Sequence, residues 1–224
     1  MLLVLRDLLL RNKIFIFPIY GLFFGFLFSQ DFQYPPEWHE LFSDSGWTLI
    51  TKKERIRVFE KPILVSPVPA FRVELVTPVS TEALLNVAWA VDQYPETLSS
   101  AYIVKAGFNH RNSAQHQQGW QIMDIPFLAP RLYQFDHIRH LSRIDWISTQ
   151  FNHPEDSPEQ LIIPPVNFGS WEVLESDGET KLIYRVCTNP GGVVPSWIVR
   201  KTSRNYIPDM LLELEEAALN GVVE

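Results

Sequence analysis

Between Ser100 and Thr188 the chain is a succession of short runs in which apolar and polar residues alternate: SAYIVKAGF, GWQIMDIP, RLYQFDHIRHLS, RIDWISTQF, GSWEVLES and KLIYRVCT. A period of two is the pattern of a half-buried strand, and turn residues between the runs predict antiparallel pairing of neighbours. GWTLITKKERIRVFEKP and AFRVELVTPVS add paired strands before them, joined at the proline-rich VSPVP. Three helical segments frame the strands. DFQYPPEWHELF predicts a short first helix, and STEALLNVAWAVDQYPETL a second one, capped by Ser80 or Thr81 and ending at Tyr94-Pro95. Pro195 to Asn220 predicts a long closing helix, kinked at Pro208, with Met210, Leu211, Leu214 and Ala218 as its inward stripe. NHPEDSPEQLIIPPVNFG reads as a long irregular loop. Strands segregated from helices in this order predict an α+β domain built on one antiparallel sheet.

Composition narrows the class of function. The chain has 224 residues, 46% of them apolar, which suits one domain with a substantial core. Its net charge is -7; Arg6, Arg11 and Lys13 against Asp7 give the first thirty residues a net +2, so the remainder stands at -9. That balance repels phosphate backbones, and no nucleic-acid role is expected. Cys187 is the single cysteine. It permits no intramolecular disulfide, and its strand-like surroundings predict a buried structural thiol.

Residues 1–30 form a separate region. The positive charges lie in MLLVLRDLLLRNK, and an uncharged stretch from Ile14 to Phe28 follows before the polar SQD. That stretch is shorter than the roughly 20 apolar residues a membrane span needs and is interrupted by Pro18, Gly21 and Gly25. A signal peptide cleaved near Ser29 or Gln30 is the first reading, which makes the protein exported, periplasmic or secreted. The alternative is a membrane anchor formed by residues 14–28. Residues 31–224 make up the domain proper.

The alternation also assigns sheet faces. With one face on a helix and the other in water, an outward Lys105 turns Tyr102 and Val104 inward. An outward Glu172 does the same for Trp171 and Val173, and outward Lys181 and Arg185 for Leu182, Tyr184 and Val186. The inward set is large and aromatic, which fits either an ordinary core or an apolar cavity.

Three stretches now take on meaning together. GWTLITKKERIRVFEKP, GWQIMDIPFLAPRLYQF and above all NPGGVVPSWIVRK resemble elements of START domains, the lipid-transfer modules related to the steroidogenic acute regulatory protein. The likeness runs from about Gly46 to Asn220. Two positions depart from the family pattern: Asn189 replaces an aspartate, and Arg131-Leu132 replaces Arg-Asp. The resemblance implies a helix-grip fold, a curved antiparallel sheet wrapped around the long C-terminal helix with an internal hydrophobic tunnel. It implies non-catalytic binding and transfer of one lipid, a sterol, phospholipid or similar molecule. The C-terminal helix would act as gate and the Gly191-Gly192 turn as hinge, with transient membrane contact by a monomer and no cofactor. The pocket residues expected on this basis are Tyr102, Val104, Trp120, Ile122, Asp124, Tyr133, Phe135, His137, Arg139, Trp171, Val173, Tyr184, Val186, Trp197, Met210, Leu211 and Leu214. By the alignment the odd-numbered residues of RLYQFDHIRHLS face inward, so His137 or Arg139 becomes the polar anchor and Asp124 a possible partner. Arg200, Lys201 and Arg204 are expected at the tunnel mouth, available to anionic head groups. Covering roughly 400 Å² of a lipid's apolar surface is worth on the order of 10 kcal/mol before the loss of freedom. Tight binding therefore needs no catalyst.

Two other readings compete. The helix-grip architecture also hosts polyketide aromatases and cyclases, for which His137, Tyr133 and Asp124 would supply acid and base. A protein-interaction domain with a vestigial cavity is the third class. His110 and His116, six residues apart, match neither one helical face nor a close zinc-ligand pair, so no metal is expected.

Overall fold

The computed structural model describes residues 32–126, 128–151 and 161–221. The signal or anchor reading of residues 1–30 lies outside them. The compact unit begins at Tyr34. No helix of the described residues is long and apolar enough to cross a membrane.

Nine strands form one sheet: β1 (Thr48–Lys53), β2 (Ile56–Lys61), β3 (Ala70–Thr77), β4 (Ile103–Ser113), β5 (His116–Met123), β6 (Arg131–Arg139), β7 (Arg143–Ser148), β8 (Val166–Ser176) and β9 (Glu179–Asn189). Their order is β1-β2-β3-β9-β8-β7-β6-β5-β4. Every pair is antiparallel. Two hairpin series thus meet where β3 lies beside β9, and the sequence between β3 and β4 crosses the inner face of the curved sheet.

That crossing contains α1 (Thr81–Trp89) and α2 (Tyr94–Thr97), with short 3₁₀ turns at Val91–Gln93 and Ser99–Ala101. The Ser80 hydroxyl accepts the Ala83 N–H at 3.4 Å, the expected N-cap. The helix stops at Trp89, short of Tyr94. Pro95 has no N–H to extend α1 and instead opens the first turn of α2. The closing helix α3 (Ser196–Asn220) runs over Pro208 as one helix. Ile207, Met210, Leu211, Leu214 and Ala217 are its buried stripe, spaced as a 3.6-residue period requires.

The outer face differs from expectation. Instead of facing water, its central strands are covered by residues 34–47, where Trp38 and Leu41 pack with Ile63, Ala70, Phe168 and Cys187. The predicted first helix is a 3₁₀ helix, Pro36–Leu41, within this cover. Arg185 is consequently 8% exposed, bonded to Glu172 at 2.7 Å and lying over the Phe42 ring. Cys187 is fully buried here, and burial pushes its thiol up to about 12.

Candidate functional site

Between the inner face of the sheet and α3 lies a cavity. Register determines which side chains reach it. Gln121 pairs with Tyr133 and Phe135 with Gly119, so the odd-numbered residues of β5 and β6 share one face. Trp171 pairs with Tyr184, so odd residues of β8 share that face with even residues of β9. The walls are therefore Ile103 from β4, Gln121 and Met123 from β5, Tyr133, Phe135 and His137 from β6, and Trp146 from β7. Asn167 and Trp171 from β8 and Tyr184, Val186 and Thr188 from β9 continue them. Tyr94, Leu98 and Ala101 from the crossing segment and Tyr206 and Met210 from α3 close the remaining side.

About 600 Å³ of non-protein space lies within this lining, part of it continuous with solvent. Only about 60 Å³ is wide enough for the centre of a water-sized sphere. The cavity is thus narrow, and a large ligand enters it only as side chains or α3 move.

Two strand glycines shape the aromatic wall. A Cβ on Gly169 would stand 2.4 Å from the Trp146 ring and 2.1 Å from the Arg185 carbonyl oxygen, so the indole lies across β8 only because residue 169 has no side chain. Gly119 makes the same room for Phe135, whose ring would be 2.6 Å from an added Cβ. Trp146 and Trp171 then gather about Tyr184 at centroid distances of 5.3 and 4.4 Å.

His137 is the central polar residue. Its ring stacks on Phe135 at 4.5 Å and lies 6.0 Å from Trp89 and 6.2 Å from Trp146. The Gln117 amide donates to the Trp89 carbonyl at 2.8 Å and stands 3.5 Å from His137 Nδ1. With that amide as donor, Nδ1 accepts and the ring proton resides on Nε2. Burial lowers the imidazole pKa to about 3, so the ring is neutral at physiological pH. Burial likewise raises the hydroxyls of Tyr94, Tyr133, Tyr184 and Tyr206, keeping them protonated. None of the lining residues is an acid, lysine or arginine. The cavity offers neutral hydrogen-bonding groups within an aromatic wall.

Of the residues expected from sequence, Tyr133, Phe135, His137, Trp171, Tyr184, Val186 and Met210 line this cavity. The others lie elsewhere. Tyr102 sits in a left-handed turn at φ 55° and is 40% exposed, and Val104 is exposed beside Lys105. A bulge between Ile103 and Lys105 resets the alternation, so Ile103 is the inward residue. Trp120 and Ile122 point to the outer face, Trp120 against Gly107, because the register places Gln121 and Met123 inward. Asp124 is exposed beyond the end of β5. Arg139 donates to Asn86 of α1 at 2.7 Å and lines a separate, open surface hollow that shares no lining residue with the cavity. Val173, Leu211 and Leu214 are buried in the core without bordering the cavity, and Trp197 is 65% exposed. Arg200 and Arg204 both bond the buried Glu60 carboxylate on β2, so Lys201 alone of the three expected surface cations lacks an ion pair among the described residues. His116 contacts Asp136 at 2.9 Å, and His110 lies on β4, the edge strand.

No family model and no curated protein matches this sequence. Solved structures do match. A STAR-related lipid transfer protein fragment from Xanthomonas axonopodis superposes with a TM-score of 0.67 at 16% identity, over 77% of this chain and 98% of that one. Human STARD10 gives a TM-score of 0.67 at 16% identity over 84% and 81%. Human StAR-related lipid transfer protein 5 gives 0.61 at 14% identity over 80% and 89%. At such identities the likeness is one of fold, and with its curved nine-stranded sheet gripping α3 the chain adopts the helix-grip fold of START domains.

Proposed function

We propose that the protein binds one lipid molecule in the cavity beneath α3 and carries it between membranes without covalent chemistry. The observation that carries this reading is the lining itself: an aromatic, uncharged wall with a neutral imidazole, four tyrosines and two side-chain amides. Such a wall suits the ring system of a sterol or the acyl part of a phospholipid, and the solved structures of like fold that are named for lipid transfer support the same reading. Acid-base catalysis fits less well. Burial makes His137 a weak base, and Asp124, its partner in a cyclase reading, stands outside the cavity.

Entry at the glycine-turn end accounts for the surface chemistry there. The β2–β3 loop is tied to the end of β9, just before the turn, by Ser66, whose hydroxyl donates to the Thr188 carbonyl at 2.9 Å. Leu64, Ile163, Val193 and Trp197 are exposed on the segments meeting at this end, which fits contact with a bilayer. We place the protein outside the cytoplasm, exported or anchored through residues 14–28, on sequence grounds; fractionation of the native host that recovered it only in the cytosol would overturn this.

Organic extraction of protein purified from its own host, followed by mass spectrometry, tests the main reading. One lipid per chain is expected. Empty protein that also takes up neither cholesterol nor a fluorescent phospholipid would reject it in favour of an interaction domain. If His137 holds a ligand hydroxyl, His137→Leu weakens cholesterol binding by roughly tenfold, the value of one buried hydrogen bond, with little change in melting temperature.

A further inference from the structure

Arg131 opens β6 on the same face as Tyr133, Phe135 and His137, about 7 Å along the strand from Tyr133. The residue is 1% exposed. Its Nε donates to the Pro190 carbonyl at 3.2 Å and its Nη1 to the Ala129 carbonyl. Its Nη2 is buried and has no hydrogen-bond partner. Among the described residues Arg131 makes no ion pair, whereas Arg55, Arg143, Arg185, Arg200 and Arg204 each face a carboxylate. At the adjoining turn Asn189 supplies no acid, and its side-chain Oδ1 accepts the Gly191 N–H at 3.1 Å.

A buried guanidinium satisfied only by two carbonyls retains its charge and a free pair of N–H groups. In that state it is a strong receptor for an oxyanion. Its position connects it with the cavity: Tyr133, the next residue on the same face of β6, is part of the lining. A Cβ added to Gly192 would stand 2.8 Å from Ile162 Cδ1 and 3.9 Å from Nη2, so the bare glycine lets the turn and Ile162 lie close over the guanidinium.

We propose that Arg131 Nη2, one inward position along β6 from Tyr133, receives the oxyanion head of an acidic amphiphile, a carboxylate or phosphate, whose apolar part occupies the aromatic cavity. This rests on the lipid-binding reading above and specifies the ligand class. The uncharged lining takes the tail, and the cation at the glycine turn selects the head.

Delipidated full-length protein titrated with oleic acid, oleyl alcohol and inorganic phosphate at pH 7.5 separates the possibilities. Oleate is expected to bind at least tenfold tighter than the alcohol. Arg131→Gln should bring oleate to within threefold of the alcohol while leaving alcohol affinity unchanged, and Arg131→Lys should keep part of the preference. Equal affinity of wild-type protein for acid and alcohol would overturn the inference and leave lipid binding standing. Binding of neither would overturn both. Phosphate that binds alone, depends on Arg131 and leaves oleate no tighter than the alcohol would make this a free-anion site and reject the amphiphile. The acid-to-alcohol ratio of the wild type needs no variant, so the test survives if Arg131→Gln fails to fold.

Discussion

An imidazole enclosed by Phe135, Trp89 and Trp146 changes how the protein responds to acid. The folded-state pKa of His137 is about 3, below the ordinary 6.5, so the unfolded chain binds a proton that the folded one refuses. The contribution is fully present above pH 6.5 and is lost as pH falls toward 3, at about 1.4 kcal/mol per unit. Lowering the pH from 7.5 to 5 should therefore cost the wild type about 2 kcal/mol through this group. Glu60, whose folded pKa is depressed, loses its contribution only as pH falls below the usual carboxylate range, so it does not obscure that interval. His137→Phe keeps the stacking and removes the titration. Urea denaturation of both proteins at the two pH values should show the wild type losing more stability than the variant by about that amount; parallel losses would mean that His137 is not buried as a neutral ring.

Element by element, α3 is held along its length by carboxylates. Glu60 on β2 takes Arg200 and Arg204 from its first turns, Arg55 reaches Glu215 at 2.7 Å, and Glu213 accepts the Ser100 N–H at 3.0 Å. Burial opposes ionisation of Glu60, but the hydrogen bonds from Arg204 and Arg200 outweigh it and hold the carboxyl below its ordinary value. Both arginines are partly exposed, which screens the pairs, so Glu60→Gln should cost about 1–2 kcal/mol. The loss should be local. Hydrogen exchange should quicken over residues 196–206 and stay slow over 207–218, and bound lipid should leave faster; uniform exchange along α3 would show that the clasp does not divide the helix.

These elements were largely legible in the sequence, because period and turn chemistry are local properties. Faces were legible only where polar residues mark the outer side, as Lys181 does for β9. On β5 the large apolar Trp120 and Ile122 point outward while Gln121 points in, a choice made by pairing with β6. The cover of residues 34–47 and the space that Gly169 leaves for Trp146 depend on contacts more than a hundred and about twenty residues apart in the chain.

For the whole molecule, a net charge of -7 and two engaged arginines make electrostatic attraction to anionic membranes weak. Apolar insertion is left as the attractive term. The segments at the glycine-turn end offer Leu64 and Val193 fully exposed and Trp197 at 65%, directly after two left-handed glycines at φ 67° and 70° that aim the chain into α3. A tryptophan there is suited to the bilayer interface, where an indole is stable half-immersed. Trp197→Ser should weaken binding to zwitterionic phosphatidylcholine vesicles by roughly tenfold, the worth of about 1–2 kcal/mol of buried apolar surface. Adding anionic lipid to the vesicles should change binding far less than the substitution does. Brominated lipids should quench the wild type more than Trp197→Phe, which locates the contact despite the chain's other tryptophans. Vesicle binding that persists in Trp197→Ser but rises steeply with anionic lipid would transfer the contact to charged surface elsewhere on the protein, and the glycine-turn end would no longer be the face through which lipid passes.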